Sequence, residues 1–370
     1  MNAGFTQEAV AEKLCVTRQA LSNWEQEKTI PDLYMFTQLA EFYGFSPDEF
    51  LLGKSYFKGA VYMKTNYSDA QVEKLICSIF PSITSLVSLS GGLISQTYSF
   101  CNNGEKYIFQ VGGKTESYRK ELYISKQYRD LLPIREMVDV RETSDGIAYC
   151  ISRYIEGNKL FDLKDSERRE IVDPVLDAIT QMTRISIAPE KGYGRFDATG
   201  YARYTSWTDF VSVIYNKNVY DWSGLVQKDF DYTAIRKATD EIRENIDCVS
   251  IDNACFGHGD LGSYNIIVSD MRVTGFIDSH LAFYGDPLYD IANLLFWDEA
   301  KLSELVSAIE QFYLSDEKSK RKAYCYVLRI ALEEIYNMTI LNEVGYDIKW
   351  VWNRLEELLN NGLCRTALAV

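Results

Sequence analysis

Asp260, Asn265 and Asp278 fall within the run HGDLGSYNIIVSDMRVTGFIDSHLAFYGDPLYDIA, His258 to Ala292, and their types and spacing fit phosphoryl transfer. Residues Ile266 to Val268 and Val273 to Ile277 read as two short strands around a turn at Ser269-Asp270-Met271-Arg272. The open ends of such a hairpin, Asn265 and Asp278, come out side by side. One amide oxygen and one carboxylate meeting at a point suit a hard, oxygen-seeking cation such as Mg²⁺. Asp260, five residues before Asn265, is then placed to accept a proton from an attacking hydroxyl.

Each feature alone has a plain structural explanation. His-Gly-Asp is a common polar turn, and many hairpins end in an aspartate. The ordered combination, completed by Gly285-Asp286-Pro287, is what points to a kinase-type site. It resembles the signature of the aminoglycoside phosphotransferase and choline kinase group: HGDxxxxN, an Asp after a short strand, then GDPxxDxA. The likeness is strongest to hygromycin B-directed members of that family. It extends through YCISRYIEG (Tyr149 to Gly157), GYGRF (Gly192 to Phe196), YTSWTDF (Tyr204 to Phe210), VYDW (Val219 to Trp222), IANLLFW (Ile291 to Trp297) and AYCYVLRIALEEIY (Ala323 to Tyr336). The resemblance implies an α+β fold, bilobal and protein-kinase-like, with a small β-rich lobe and a large helical lobe. It implies ATP and Mg²⁺ as cofactors, Asp260 as catalytic base, and Asn265 and Asp278 as metal ligands. The implied reaction moves the ATP γ-phosphoryl group to a hydroxyl of an aminoglycoside, hygromycin B-like, and so confers resistance. His258 is expected to support the loop through its ring, Asp286 to cap a helix ahead of Pro287, and Asp290 to brace the catalytic-loop backbone.

The chain has 370 residues, 46% of them apolar and 14% aromatic, which marks a globular protein with a large core. Its net charge of −14 disfavours general nucleic-acid or membrane binding and favours a cationic small molecule near a cleft. Eight scattered cysteines without a CxxC pair, and only two histidines, argue for reduced thiols and against a zinc site. The N-terminus lacks the basic-then-apolar order of a signal peptide, and no run of 18 apolar residues occurs, so a cytoplasmic protein is expected.

Three regions follow: 1–60, 61–155 and 156–370. In the first, Val10 and Leu14, then Leu21 and Trp24, then Phe36, Leu39, Ala40 and Tyr43 form the apolar edges of three helices, with Thr17 as N-cap of the second. Residues 5–53 resemble the lambda-repressor/Cro-like helix-turn-helix family. That resemblance makes Thr17 to Glu25 the recognition helix, with Arg18, Gln19, Ser22 and Asn23 facing the major groove and Gln7 at a phosphate. Only four residues precede Phe5 where the family usually has a full helix, so the domain either lacks part of its core or is assigned too late a start. Five basic side chains face eight acidic ones over residues 1–60, a poor balance for phosphate contacts.

The small lobe opens with a helix around Asp69 to Phe80. Ser88 to Phe100 then reads as strand, Gly-rich turn and strand, in which Gly91 and Gly92 let backbone N–H groups approach phosphate oxygens and Ser95 adds a hydroxyl. The next strand, Lys106 to Val111, carries Gln110 where kinases place a lysine, and Lys114 just beyond is the candidate to reach back. Glu121 is the helix glutamate, left without an assigned partner. By resemblance, Ser152 and Tyr154 form the hinge whose backbone meets the adenine edge. In the large lobe, Val172, Val175, Leu176, Ile179 and Met182, and Leu302, Leu305, Val306 and Ile309, are core stripes. Trp297, Glu333 and Glu334 are the acceptor-site candidates, with Trp207 and Asp209 behind them, because an amino sugar wants carboxylates for its ammonium groups and an aromatic face for its ring. Two alternatives remain open: a kinase of another small alcohol or amino alcohol, and a helix-turn-helix regulator whose kinase-like part senses a ligand.

Overall fold

Two helices stand on the N-terminal apolar edges, α1 (Gln7–Lys13) and α2 (Arg18–Glu25). Val10, Ala11, Leu14 and Leu21 are buried together with Val16 and Trp24 against them. The Thr17 hydroxyl accepts the Ala20 N–H at 3.1 Å and so caps α2 as its sequence predicts. The computed structural model describes residues 7–14, 16–25, 28, 35, 65–89, 95–228, 232–341 and 347–363. The third apolar edge, Phe36 to Tyr43, lies outside them. The chain divides into two units, Met1–Met63 with Glu334–Asn353, and Lys64–Glu333 with Arg354–Val370.

In the second unit, α3 (Asp69–Cys77) starts on a capping box between Ser68 and Gln71. Then come β1 (Thr84–Leu89), β2 (Ser95–Asn102), β3 (Glu105–Gly112), α4 (Thr115–Tyr128), β4 (Met137–Glu142) and β5 (Ala148–Arg153). The strands form one antiparallel sheet in the order β1-β2-β3-β5-β4. Their two-residue alternation sends Tyr98, Phe100, Phe109 and Ile151 to a face shared with Val72 and Ile76 of α3. Cys150 and Ala148 go to the other face, against Tyr118 of α4. Gly112 and Gly113, at φ of 109° and 80°, turn the chain from β3 into α4, a conformation that side chains resist.

Beyond β5 the chain is mainly helical: α5 (Asp165–Glu170), α6 (Val172–Thr183), α7 (Trp207–Ser212), α8 (Tyr232–Glu244), α9 (Leu288–Trp297), α10 (Ser303–Tyr313), α11 (Glu317–Thr339) and α12 (Ile348–Asn361). Of the core stripes, Val175, Ile179, Met182, Leu302, Leu305, Val306 and Ile309 are buried, whereas Val172 and Leu176 are half-buried. Two small sheets are set among these helices. One pairs β6 (Asn158–Lys159), β11 (Ile266–Ser269) and β12 (Arg272–Phe276). The other runs β7-β10-β13-β8-β9, from Ser186–Ile187, Ala254–Gly257, Phe283–Gly285, Tyr193–Phe196 and Ala202–Tyr204. No helix among the described residues is long and apolar enough to cross a membrane.

Trp207 sits at the centre of the large-lobe core. It packs on Phe210, Phe283, Tyr289 and Tyr326, and its indole N–H donates to the Tyr326 hydroxyl at 2.8 Å. Gly285 faces that ring so closely that a Cβ would lie 2.0 Å from it. Gly285→Ala is therefore expected to cost about 1–3 kcal/mol by overpacking, read as a lower urea midpoint with unchanged slope. An unshifted midpoint would mean that the indole yields freely.

Candidate functional site

Strand β10 delivers the loop that carries Asp260. Asp290 on α9 holds that loop open-ended, its two carboxylate oxygens accepting the His258 and Gly259 N–H groups at 2.7 Å each. Gly259 takes φ +83° there, and a Cβ would stand 2.1 Å from the Leu281 carbonyl oxygen. The His258 ring is buried and bonds through Nε2 to the Ile277 carbonyl at 3.0 Å, while its Nδ1 accepts the Asp260 N–H at 3.3 Å. Burial pushes its pKa down to about 4, so the ring is neutral with the proton on Nε2. Asn293 donates to the Leu261 carbonyl at 3.2 Å, and Glu299 accepts both the N–H and the hydroxyl of Ser263. The loop is thus fixed from three points on the large lobe.

The hairpin forms, with a register shift between Ile267 and Val268. Ser269 pairs with Arg272 across a two-residue turn in which Asp270 and Met271 both have positive φ, the type I′ geometry that matches strand twist. At its open end the Ile277 N–H donates to the Asn265 carbonyl at 3.0 Å, which brings Asn265 and Asp278 together. The Asn265 amide nitrogen donates to the Asp260 carbonyl (2.9 Å) and to its carboxylate (3.0 Å). Those two bonds fix the amide. Asp278 adopts left-handed backbone geometry, φ 62°, and accepts from His280 Nδ1 at 2.7 Å.

The two carboxylates are driven apart electrostatically. Burial first, and the Asp278 charge second, lift the Asp260 carboxyl to about 6. Burial opposes ionisation of Asp278 as well, but the His280 hydrogen bond and the charges of His280 and Arg135 outweigh it and hold Asp278 below the usual range. The result is one carboxylate made more basic beside one held more acidic. Among the described residues no cluster of three His, Cys, Asp or Glu converges. The donor set is instead one amide oxygen and one carboxylate, which suits a magnesium ion that draws its other ligands from phosphates and water.

On the small-lobe side, Gly92 lies outside the described residues. Ser95 is buried, and its hydroxyl accepts from the Gln110 amide at 3.5 Å. Lys114 is exposed at the start of α4 and does not reach back, because the Gly112-Gly113 turn carries it away from the strand. The partner of Glu121 is Arg135, which the sequence reading missed; its guanidinium also donates to the Gln110 amide oxygen at 2.5 Å. Ser152 lies buried in β5, and the Tyr154 N–H is taken up by the Lys106 carbonyl at 3.0 Å.

Next to His280 opens a cavity of about 430 Å³, lined among others by Glu116, Lys120, Arg195, Asp197 and Arg203. Lys120 donates to the Ala282 carbonyl at 2.7 Å and lies over the Phe196 ring. Trp297, Glu333 and Glu334 are not among the lining residues. Glu333 is buried behind Arg195, bound to it through two contacts of 3.0 Å and to Arg329 at 2.9 Å. Glu334 falls in the other unit, and Trp297 closes α9 edge-on to Phe296. Trp207 is core, and Asp209 accepts from the Thr205 hydroxyl at 2.9 Å. In the first unit, Gln7 accepts from Arg18 at 3.3 Å, and Gln19 donates to Asn23 at 3.1 Å; Ser22 lies between them on α2.

A family model described as the phosphotransferase enzyme family matches residues 85–324. The chain belongs to that family. A helix-turn-helix model matches residues 1–50. Hygromycin-B 4-O-kinase of Escherichia coli is 29% identical over 303 residues, 81% of this chain and 87% of that protein. The crystal structure of aminoglycoside phosphotransferase APH(4)-Ia superposes with a TM-score of 0.71 at 29% identity, over 80% of this chain and 99% of that one. A mutant of that enzyme in ternary complex with AMP-PNP and hygromycin B gives 0.70 at 29% identity, over 79% and 98%. The α+β kinase-like fold of this phosphotransferase, β-rich lobe and helical lobe, is that of the aminoglycoside phosphotransferases.

Two outcomes follow from the geometry. Asp290→Ala removes both N–H acceptors of the catalytic loop and is expected to lower kcat at least about 100-fold and stability by about 3 kcal/mol, read by turnover and thermal melting. For Glu333, burial resists the charge, but Arg195 and Arg329 outweigh it and hold the carboxyl down at about 2. A depressed carboxyl stabilises the fold above its unfolded pKa and loses that contribution as pH falls towards the folded value. Glu333→Gln should therefore be less stable at neutral pH yet show a shallower acid loss between pH 4.5 and about 2; an identical acid profile in the variant would refute the assignment.

Proposed function

We propose that this phosphotransferase moves the γ-phosphoryl group of ATP to a hydroxyl of a hygromycin B-like aminoglycoside and so confers resistance in the cytoplasm. The observation that carries the reading is the Asn265 amide nitrogen bonded to both the Asp260 carbonyl and its carboxylate, at the end of the hairpin that leads to Asp278. Asp260 orients the acceptor hydroxyl and takes its proton. Asn265 and Asp278 would hold Mg²⁺, which when bound neutralises charge on the transferring phosphate. Ser95 and Gln110 form the phosphate side, with Glu121 behind them; Gly92, proposed for the same role, lies outside the described residues. The adenine edge meets Ser152 and Tyr154, the latter through its carbonyl, since its N–H serves the sheet. The acceptor lies in the cavity beside His280, where Glu116 and Asp197 offer carboxylates to ammonium groups. Glu333 acts there through Arg195, and Trp297 and Glu334 stand outside the cavity's lining.

The helix-turn-helix match supports a second role. Arg18 and Gln19 are exposed on α2, and with Gln7, Ser22 and Asn23 they are the residues proposed to meet DNA. A regulator that senses the drug without phosphorylating it, and a kinase of another small alcohol, are the outcomes that would displace the main reading.

Expression in a sensitive bacterium, with resistance scored across an aminoglycoside panel and product phosphate counted in vitro, tests it. Hygromycin B is expected to be turned over and Asp260→Ala to reduce turnover by about 10²–10⁴-fold with AMP-PNP affinity retained. Binding of the drug without turnover by the unaltered chain would select the sensor instead.

A further inference from the structure

The nucleotide wall of this fold needs a cation, and β3 does not provide one. Gln110 is neutral, Lys114 is exposed, and Lys106, on the same strand, stacks over the Tyr154 ring at 3.6 Å. Arg135 enters the same niche from another direction. The segment Pro133 to Arg135 is zipped to the end of β12: the Phe276 N–H donates to the Pro133 carbonyl at 2.6 Å, and the Arg135 N–H to the Phe276 carbonyl at 3.4 Å. Phe276 stands two residues before Asp278, so this pairing sets Arg135 against the metal-ligand end of the hairpin. The Arg135 side chain is 10% exposed and that of Glu121 7%. Its two terminal nitrogens hold Glu121 and the Gln110 amide oxygen, while its Nε has no partner among the described residues. The Asp278 carboxylate also acts on its charge.

We propose that Arg135 is the phosphate-neutralising cation of the nucleotide site, reaching the Glu121–Gln110 niche from the segment before β4 in place of a lysine on β3. The proposal rests on the phosphotransferase reading above. It explains Gln110: a lysine there would press a second cation against the guanidinium, whereas an amide oxygen accepts from it. It also gives buried Glu121 a partner, and a planar, five-donor group retains N–H donors for phosphate oxygens after those two contacts.

Affinity for Mg²⁺-AMP-PNP by calorimetry, melting temperature, and KM and kcat for ATP and hygromycin B separate this role from a structural one. Because Arg135→Met leaves Glu121 buried and unpaired, the neutral pair Glu121→Gln with Arg135→Met is the primary variant. It is expected to melt near the parent, bind AMP-PNP about 10-fold or more weakly, raise KM for ATP, and leave KM for hygromycin B within about 3-fold. Adding Gln110→Lys to Arg135→Met should recover most of the nucleotide affinity by returning a charge to the strand. Parental AMP-PNP affinity in the neutral pair, or no recovery from the strand lysine in a folded variant, overturns the proposal. If the unaltered chain phosphorylates no aminoglycoside, the functional reading fails, while the affinity comparison still decides Arg135.

Discussion

The unequal electrostatics of two neighbouring carboxylates, Asp260 half-buried and Asp278 exposed, set the terms for the rest of this structure. Desolvation and the nearby Asp278 charge disfavour ionisation of Asp260, whereas Asp278 is held below the usual carboxylate range. The protein resolves this unequally. His280 and Arg135 gather around Asp278 and keep it ionised, whereas Asp260 receives a neutral amide from Asn265 and stays the more basic of the two.

That balance requires backbone held to a few tenths of an ångström, and each restraint is anchored in the core. Asp290 can clamp two loop N–H groups because α9 is buried along almost its whole length and cannot shift. Asp286, at the head of the same helix, accepts from the Leu288 N–H and is bonded to Lys322 and Tyr326 of α11. Tyr326 in turn holds Trp207. The catalytic loop is therefore continuous, through hydrogen bonds rather than sequence, with the aromatic centre of the large lobe.

What the sequence made legible is local. The hairpin between Asn265 and Asp278 could be read because a short turn between apolar strands leaves its ends adjacent, and the helix after Asp286 because Asp-Pro marks a helix start. The bracing role of Asp290 was legible from its place in the motif. Arg135 was not: it is 25 residues from Gln110 and 14 from Glu121, and only the sheet order and the bridge to Phe276 bring the three together. The cavity escaped for the same reason, since α4, β8 and the turn after Asp278 each contribute part of its wall. Glu333 has the right chemistry for an ammonium ligand, but a carboxylate in a helical core recruits whatever cation is nearest, and here that is Arg329 one turn away.

The net charge of −14 and the local charge of the cavity answer different questions. The whole-molecule field draws cationic solutes towards the protein and raises their encounter rate. Inside, Glu116 and Asp197 share the wall with Lys120, Arg195 and Arg203. A surface of mixed sign cannot hold a polycation by charge alone, because a misplaced ammonium group meets Arg195 or Arg203. It can hold one in a single register, with ammonium groups on the carboxylates and hydroxyls on the basic side chains. For a phosphotransferase that register would decide which hydroxyl is presented for transfer.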